Sequence, residues 1–179
     1  PARWQPAVRA VLGTGLVAVT RVPLGLHPTR VRPGLRCGAA AVAAVAAGTA
    51  ATTALPAVQV AMRQRELPAP PVGWLMLRIP VGTVWSEETA YRAALASVGA
   101  SAFGPRGGRL LQAMAFGLSH IADARATGAP VVGTVLVTGG AGWVFGWLAD
   151  RSGGVAAPML AHLAINEAGA LAVLHFRRR

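Results

Sequence analysis

Two long uncharged stretches constrain this chain more than any other feature of its sequence. The residues from Cys37 to Met62 and from Ala126 to Ala149 include no charged side chain and are rich in Ala, Val, Thr and Gly. About 20 apolar residues are enough for a helix to cross the hydrocarbon core of a bilayer. Hydrophobic residues make up 54% of the chain, whereas soluble domains reach about 45 to 50% even when Gly is included. The sequence therefore predicts a membrane-embedded protein.

Four weaker apolar stretches suggest further membrane helices. Each carries a charge or is short, and they run from Ala10 to Leu26, Val72 to Leu95, Leu110 to Ala122 and Gly154 to Phe176. Helices and closed barrels are the backbone arrangements that span lipid, and these stretches do not alternate polar and apolar residues as barrel strands do. We therefore predict an all-α polytopic membrane bundle of about five or six transmembrane helices around a polar cavity.

A proline-rich segment divides the chain into two parts. Between Arg63 and Pro71 several prolines, including Pro68, fall close together, which predicts an extended connection. We predict N-terminal transmembrane helices and this connection in residues 1–71, and a core that carries the polar residues in residues 72–179.

Glycine and proline positions predict how the helices pack. Gly142 and Gly146 are two small residues one helical turn apart, which lets another backbone approach closely, although glycine is frequent enough here for the spacing to be incidental. Proline within a helix kinks it and releases backbone groups. The prolines in or beside apolar stretches are Pro56, Pro80, Pro130 and Pro158.

The positive charge of the chain does not indicate nucleic-acid binding. The net charge is +11, and all 17 basic residues are Arg, which together with frequent Ala and Gly suggests coding bias. The arginines fall between the apolar stretches and do not form a basic groove with interleaved aromatic residues. Cys37 is the single cysteine, which excludes an internal disulfide and disfavours a cysteine-based metal site. We therefore expect no nucleic-acid partner and a fold that rests on helix packing.

The first of three polar patterns contains adjacent acids. Ionisable residues in membrane segments mark a functional site by default. Glu88 and Arg92 are one helical turn apart and can form an ion pair, whereas Glu87 points about 100° away and can face a cavity as a base. The alternative interpretation is a helix N-terminus, capped by Ser86, in which both acids interact with the helix dipole.

The second and third patterns each place two side chains one helical turn apart. Phe116 precedes His120 by four residues, and His162 precedes Asn166 by four. A buried structural histidine is the alternative for His120, and a hydrogen-bonded helix contact is the alternative for the other pair. Since an unpaired polar group is costly in apolar surroundings, we predict that the three patterns meet in one site.

Taken in chain order as EExxxR, FxxxH and HxxxN, the patterns resemble the motifs of the CPBP family, the CAAX prenyl protease and bacteriocin-processing intramembrane endopeptidases, also called the Abi family. The resemblance covers roughly Val72 to Phe176 and includes the SG turn followed by Pro158-xxx-His162. Ala93 and the residues before Arg92 depart from the family's usual pattern, which concerns substrate fit more than chemistry.

The resemblance implies an integral membrane protease, located in a bacterial cell membrane. Glu87 would be the general base that activates water for attack on a peptide bond, and His120 would help to position that water. His162 and Asn166 would stabilise the oxyanion that develops on the substrate.

The resemblance also implies supporting residues and partners. Glu88 and Arg92 would fix the geometry of the first helix, and Phe116 would contact the substrate. The substrate would be a peptide or protein, with or without a prenyl group, and membrane lipids would surround the enzyme.

Other chemistries and functions stay open at this point. Glu87, His120 and His162 could equally form a zinc site of two histidines and one carboxylate, although the chain has no HExxH helix; we favour a site without a tightly bound metal. The alternative function is a non-catalytic membrane scaffold or immunity-type protein that binds a peptide or protein partner. Such a protein would be expected to lose the base or an oxyanion donor, and a small transporter would often show duplicated halves.

Overall fold

The computed structural model describes residues 4–65 and 70–177, and these residues form helices without any strand. A single turn, Pro71–Gly73, leads into the second half of the chain. The prediction of an all-α bundle is confirmed. The helices are α1 (Gln5–Thr20), α2 (Val31–Thr53), α3 (Pro56–Gln64), α4 (Trp74–Trp85), α5 (Glu88–Leu95), α6 (Ala96–Ser119), α7 (Ile121–Thr127), α8 (Val131–Ser152) and α9 (Ala156–Arg177).

Three of these helices, α2, α8 and α9, are long and apolar enough to cross a membrane. The stretch predicted from Gly154 to Phe176 corresponds closely to α9. The remaining weaker stretches fall in α1, in α4 with α5, and in the second half of α6. The total number of membrane crossings stays a prediction.

Each of the two uncharged stretches contains most of a membrane-length helix but is divided between two helices. The first stretch is broken at Leu55, whose backbone is extended with ψ of 127° because Pro56 follows it. The second stretch is broken at Gly128, which ends α7 in the left-handed conformation with φ of 68°, and α8 begins after Pro130. Turn residues inside an uncharged run therefore divided each predicted span into two helices.

The N-terminal helices pack directly on the helices that carry the polar patterns. α2 lies along α9, and α1 packs against α4 and α5. The approach of α1 is close, because a Cβ on Gly13 would lie 2.8 Å from the carbonyl oxygen of Ser86. The division of the chain near residue 71 stays a prediction, and Pro68 in the predicted connection lies outside the described residues.

Gly142 and Gly146 allow α8 to approach α6 closely, as their spacing predicted. A Cβ on Gly142 would lie 3.0 Å from Cδ1 of Phe116, and one on Gly146 would lie 2.7 Å from Nε2 of Gln112. Gln112 is fully buried and donates hydrogen bonds from Nε2 to backbone carbonyls of α6 and α8. These small residues therefore bring α8 against the part of α6 that carries Phe116 and His120.

Of the four prolines predicted to kink helices, Pro80 is the one that lies in a helix interior. Pro56 begins α3, Pro130 precedes α8, and Pro158 lies in the first turn of α9. The kinks predicted at these three are wrong, since a first-turn residue needs no N–H partner. Around Pro80 the helix has the wide winding of a π-helix, and α5 has the same winding.

Candidate active site

Ser86 and Glu87 join α4 and α5 into one continuous helix rather than starting a new one. Both residues have right-handed helical backbone angles. The Ser86 Oγ donates hydrogen bonds to the carbonyl oxygens of Gly82 at 2.7 Å and Thr83 at 3.0 Å. The interpretation of this segment as a capped N-terminus is therefore wrong, and the adjacent acids lie within the helix.

His162 lies between the two glutamates, which approach opposite ends of its ring. Its Nδ1 is 2.7 Å from Oε1 of Glu88, and its Nε2 is 3.8 Å from Oε2 of Glu87. The Glu88 side chain is fully buried, whereas that of Glu87 is 22% exposed. The two acids were predicted to point about 100° apart, but both side chains reach the same imidazole. Of the two acids, Glu87 is the one whose side chain reaches the surface, while its Oε2, which faces His162, is buried.

Arg92 contacts Glu88 from the side away from His162. Its Nε lies 3.3 Å from Oε2 of Glu88, and both side chains are 0% exposed. The predicted ion pair is therefore present and buried. The guanidinium nitrogens form no hydrogen bond with any of the described residues. Glu88 is held from two directions, by an imidazole and by a guanidinium.

Two aromatic rings compensate for the missing hydrogen bonds of Arg92. The guanidinium carbon lies 4.0 Å from the ring centroid of Phe116 and 5.0 Å from that of Phe145. A cation over a desolvated ring gains about 2 kcal/mol or more. The rings therefore stabilise a positive charge that water does not reach.

Phe116 also packs against both histidines. Its ring centroid lies 4.7 Å from that of His120 and 6.0 Å from that of His162, each in a T-shaped arrangement. The residue is only 3% exposed. Phe116 is thus surrounded by Arg92 and the two imidazoles, which leaves little of its surface for a substrate.

Phe145 is a site residue that the sequence did not reveal. Its ring stacks on His162, with centroids 5.2 Å apart and an interplanar angle of 30°. A phenylalanine in an apolar stretch looks like any core residue. The one available signal was its position between Gly142 and Gly146, which mark the face of α8 that packs on α6.

His120 is oriented by the backbone of its own helix. Its Nδ1 lies 2.8 Å from the carbonyl oxygen of Phe116. Because a carbonyl oxygen only accepts, Nδ1 carries the hydrogen, and the Nε2 of a neutral ring is then an acceptor. The carboxylate of Glu87 is within electrostatic range of both His120 and His162.

Asn166 lies at the edge of this group. Its Nδ2 donates a hydrogen bond to the carbonyl oxygen of His162 at 3.0 Å, within α9. The amide has a second N–H available for donation. Asn166 also lines a cavity of about 1000 Å³ whose walls include Trp74, Ile165 and Gly169. The residue therefore connects His162 to a space large enough for part of a peptide.

The three residues considered as zinc ligands do not form a ready metal site. Among the described residues, no group of three or more His, Cys, Asp or Glu side chains is placed to hold a metal ion. The Nδ1 atoms of His120 and His162 are both engaged, by a backbone carbonyl and by Glu88, so Nε2 is the atom of each ring that a metal would use.

Comparison with known proteins identifies one match. Residues 69–168 match the family model described as type II CAAX prenyl endopeptidase Rce1-like. The match covers more than half of the chain and includes all three polar patterns. No curated protein and no solved structure matches the chain.

Proposed function

This chain belongs to the type II CAAX prenyl endopeptidase Rce1-like family, which confirms the predicted CPBP membership. We propose that it hydrolyses a peptide bond with water activated by Glu87. One observation carries this proposal: Oε2 of the partly exposed Glu87 side chain lies 3.8 Å from Nε2 of a His162 that is fixed by buried Glu88. A carboxylate at the edge of the buried site thus adjoins an imidazole that Glu88 holds in place.

Each polar group receives a role in the proposed reaction. Glu87 removes a proton from water, and the acceptor Nε2 of His120 orients that water. A positioned general base contributes about 100- to 10,000-fold to the rate. The Nε2 of His162 and the amide of Asn166 donate to the oxyanion, where one donor is worth about 100- to 1,000-fold.

Glu88, Arg92 and Phe116 support these groups. Glu88 orients His162, and Arg92 holds Glu88 in place through a buried ion pair. We propose that Phe116 supports Arg92 and the imidazoles in place of the substrate contact that the resemblance implied, because 97% of its surface is covered by the protein.

We propose that the substrate peptide or protein enters the cavity lined by Asn166. A prenyl group on the substrate and contact with membrane lipids are further proposals, supported by the large apolar side chains that α8 exposes at Val132, Leu136 and Val137. A bacterial cell membrane is proposed as its location, and the three helices that are long and apolar enough to cross a membrane support the membrane part of this proposal.

The direct test is cleavage of peptides by the purified protein in lipid vesicles. We expect a quenched fluorescent peptide, prenylated or not, to yield a new carboxyl and a new amino terminus by mass spectrometry, at a rate that chelators leave unchanged. Activity removed by a chelator and restored by Zn²⁺ would replace the glutamate reaction with a metal-assisted one. Tight peptide binding without cleavage would favour the scaffold alternative.

Filling the cavity should block the substrate without disturbing the fold. A Cβ on Gly169 meets no atom within 4 Å, and this residue lines the cavity. We expect Gly169→Trp to raise KM strongly in peptide cleavage while the Tm changes little. Gly48→Trp is the matched control, because Gly48 on α2 is also open and exposed but lies away from this cavity. Equal kinetics for both variants would exclude this route.

A further inference from the structure

The buried cluster around His162 lacks one positive charge. Glu87 and Glu88 supply two carboxylates, and Arg92 supplies one guanidinium. An uncompensated charge in a buried site is costly. One extra proton makes these groups neutral in sum. Its possible positions are Oε2 of Glu87, Nε2 of His162, which lies 3.8 Å from that oxygen, and Nε2 of His120.

The bond to Glu88 determines which nitrogen of His162 can exchange this proton. Oε2 of Glu88 faces the guanidinium of Arg92 in an ion pair, and a carboxylate in such a pair only accepts hydrogen bonds. Nδ1 of His162 must therefore donate across the 2.7 Å contact. Nε2 is left as the nitrogen that gains or loses a proton, and it faces Glu87. A carboxylate behind an imidazole in this way stabilises the imidazolium form.

His120 lacks such a carboxylate. Its Nδ1 contacts the carbonyl oxygen of Phe116 and the hydroxyl of Ser119, which are neutral groups. The two histidines at this site are thus built differently. His120 suits the orientation of water, and His162 suits the storage of a proton.

We propose that His162 is the general acid that protonates the leaving amine, and that Glu88 is the positioning residue that keeps His162 as an imidazolium. The inference rests on the proposed function and deepens it, because donating to an oxyanion requires no proton to leave His162. When Glu87 is ionised as a base, the extra proton resides on Nε2, so that the base and the acid are ready together.

The proposed step conserves atoms and charge. Glu87 takes a proton from water while the water oxygen bonds to the carbonyl carbon. As the C–N bond breaks, its electron pair stays on nitrogen, which takes the proton from Nε2 of His162. Glu87 then returns its proton to Nε2, either through one water or after the two side chains close the 3.8 Å gap to hydrogen-bond distance. The products are a carboxylic acid and an amine, and both side chains regain their starting states.

A leaving-group experiment separates this role from oxyanion stabilisation. The same acyl peptide is supplied as an amide and as a thioester, because a thiolate can depart without a proton and an amine cannot. His162→Gln keeps an N–H donor but has no proton to release. We expect His162→Gln and Glu88→Gln each to lose at least about 100-fold in kcat on the amide, and far less on the thioester.

Several outcomes decide the proposal. Equal losses on the two substrates, or wild-type amide cleavage by His162→Gln, would overturn it. Glu88→Gln removes the charge partner of Arg92 and can fail to fold; in that case His162→Gln, with its Tm measured, decides alone. Glu87→Gln should lose activity on both the amide and the thioester. If Glu87→Gln cleaves both substrates at the wild-type rate, the proposal that Glu87 is the base is overturned. The comparison of the two substrates for His162→Gln still tests the role of His162 as the acid. A wild-type protein that cleaves neither substrate would overturn both proposals.

Discussion

Glu87→Gln is expected to lower the rate of peptide hydrolysis by at least about 100-fold while the protein remains folded. The amide has nearly the shape of the carboxylate but cannot accept a proton from water. The fold should tolerate the change because the Glu87 side chain is 22% exposed and its Oε2 accepts no hydrogen bond from the described residues. Single-turnover cleavage by the purified variant measures the loss, and the Tm in detergent verifies the fold.

Glu167→Gln provides the matched control for this experiment. Glu167 lies on α9 directly after Asn166, is partly exposed, and belongs to none of the three patterns. The same isosteric replacement at this position should leave peptide cleavage unchanged. A Glu87→Gln protein that cleaves as fast as Glu167→Gln would end the role of Glu87 as the base.

Arg92→Met is expected to cost about 3 to 5 kcal/mol in the free energy of unfolding, because it leaves Glu88 as a buried charge without its partner. Arg92→Lys should cost less stability but still impair cleavage. An ammonium lacks the planar, delocalised charge that lets Arg92 pair with Glu88 while lying over the ring of Phe116. Thermal unfolding in detergent and peptide cleavage measure the two effects.

Arg125→Met controls for the general loss of a positive charge. Arg125 is an exposed residue of α7, and replacements at such positions usually change stability by no more than about 0.5 kcal/mol. Arg92→Lys with wild-type stability and activity would show that the buried pair neither orients His162 nor stabilises the bundle.

The sequence determined the class of this protein and the local pairs of its site. Uncharged stretches longer than a bilayer requires predicted membrane helices, since burial in lipid depends on composition more than on particular neighbours. The spacing of Glu88 and Arg92 predicted their ion pair because residues four apart in a helix face the same side. The order of the three polar patterns was enough to predict the family.

The boundaries of the helices were less predictable from apolarity. Leu55 and Gly128 interrupt runs that contain no charge, and their backbone angles follow from a proline and from a left-handed cap. The proline after Leu55 and the glycine at position 128 were visible in the sequence as signals of a helix end. The prediction gave more weight to the absence of charge than to these two residues.

The tertiary structure alone decided how the site is connected. Glu88 bonds to a histidine 74 positions away, Phe145 of α8 stacks on that same ring, and Asn166 turns to the backbone of its own helix. Spacing within one helix specifies which residues share a face, but it cannot specify which face of a distant helix meets them. That choice depends on the close packing that Gly142 and Gly146 allow between α6 and α8 and on the cost of leaving a buried charge unpaired.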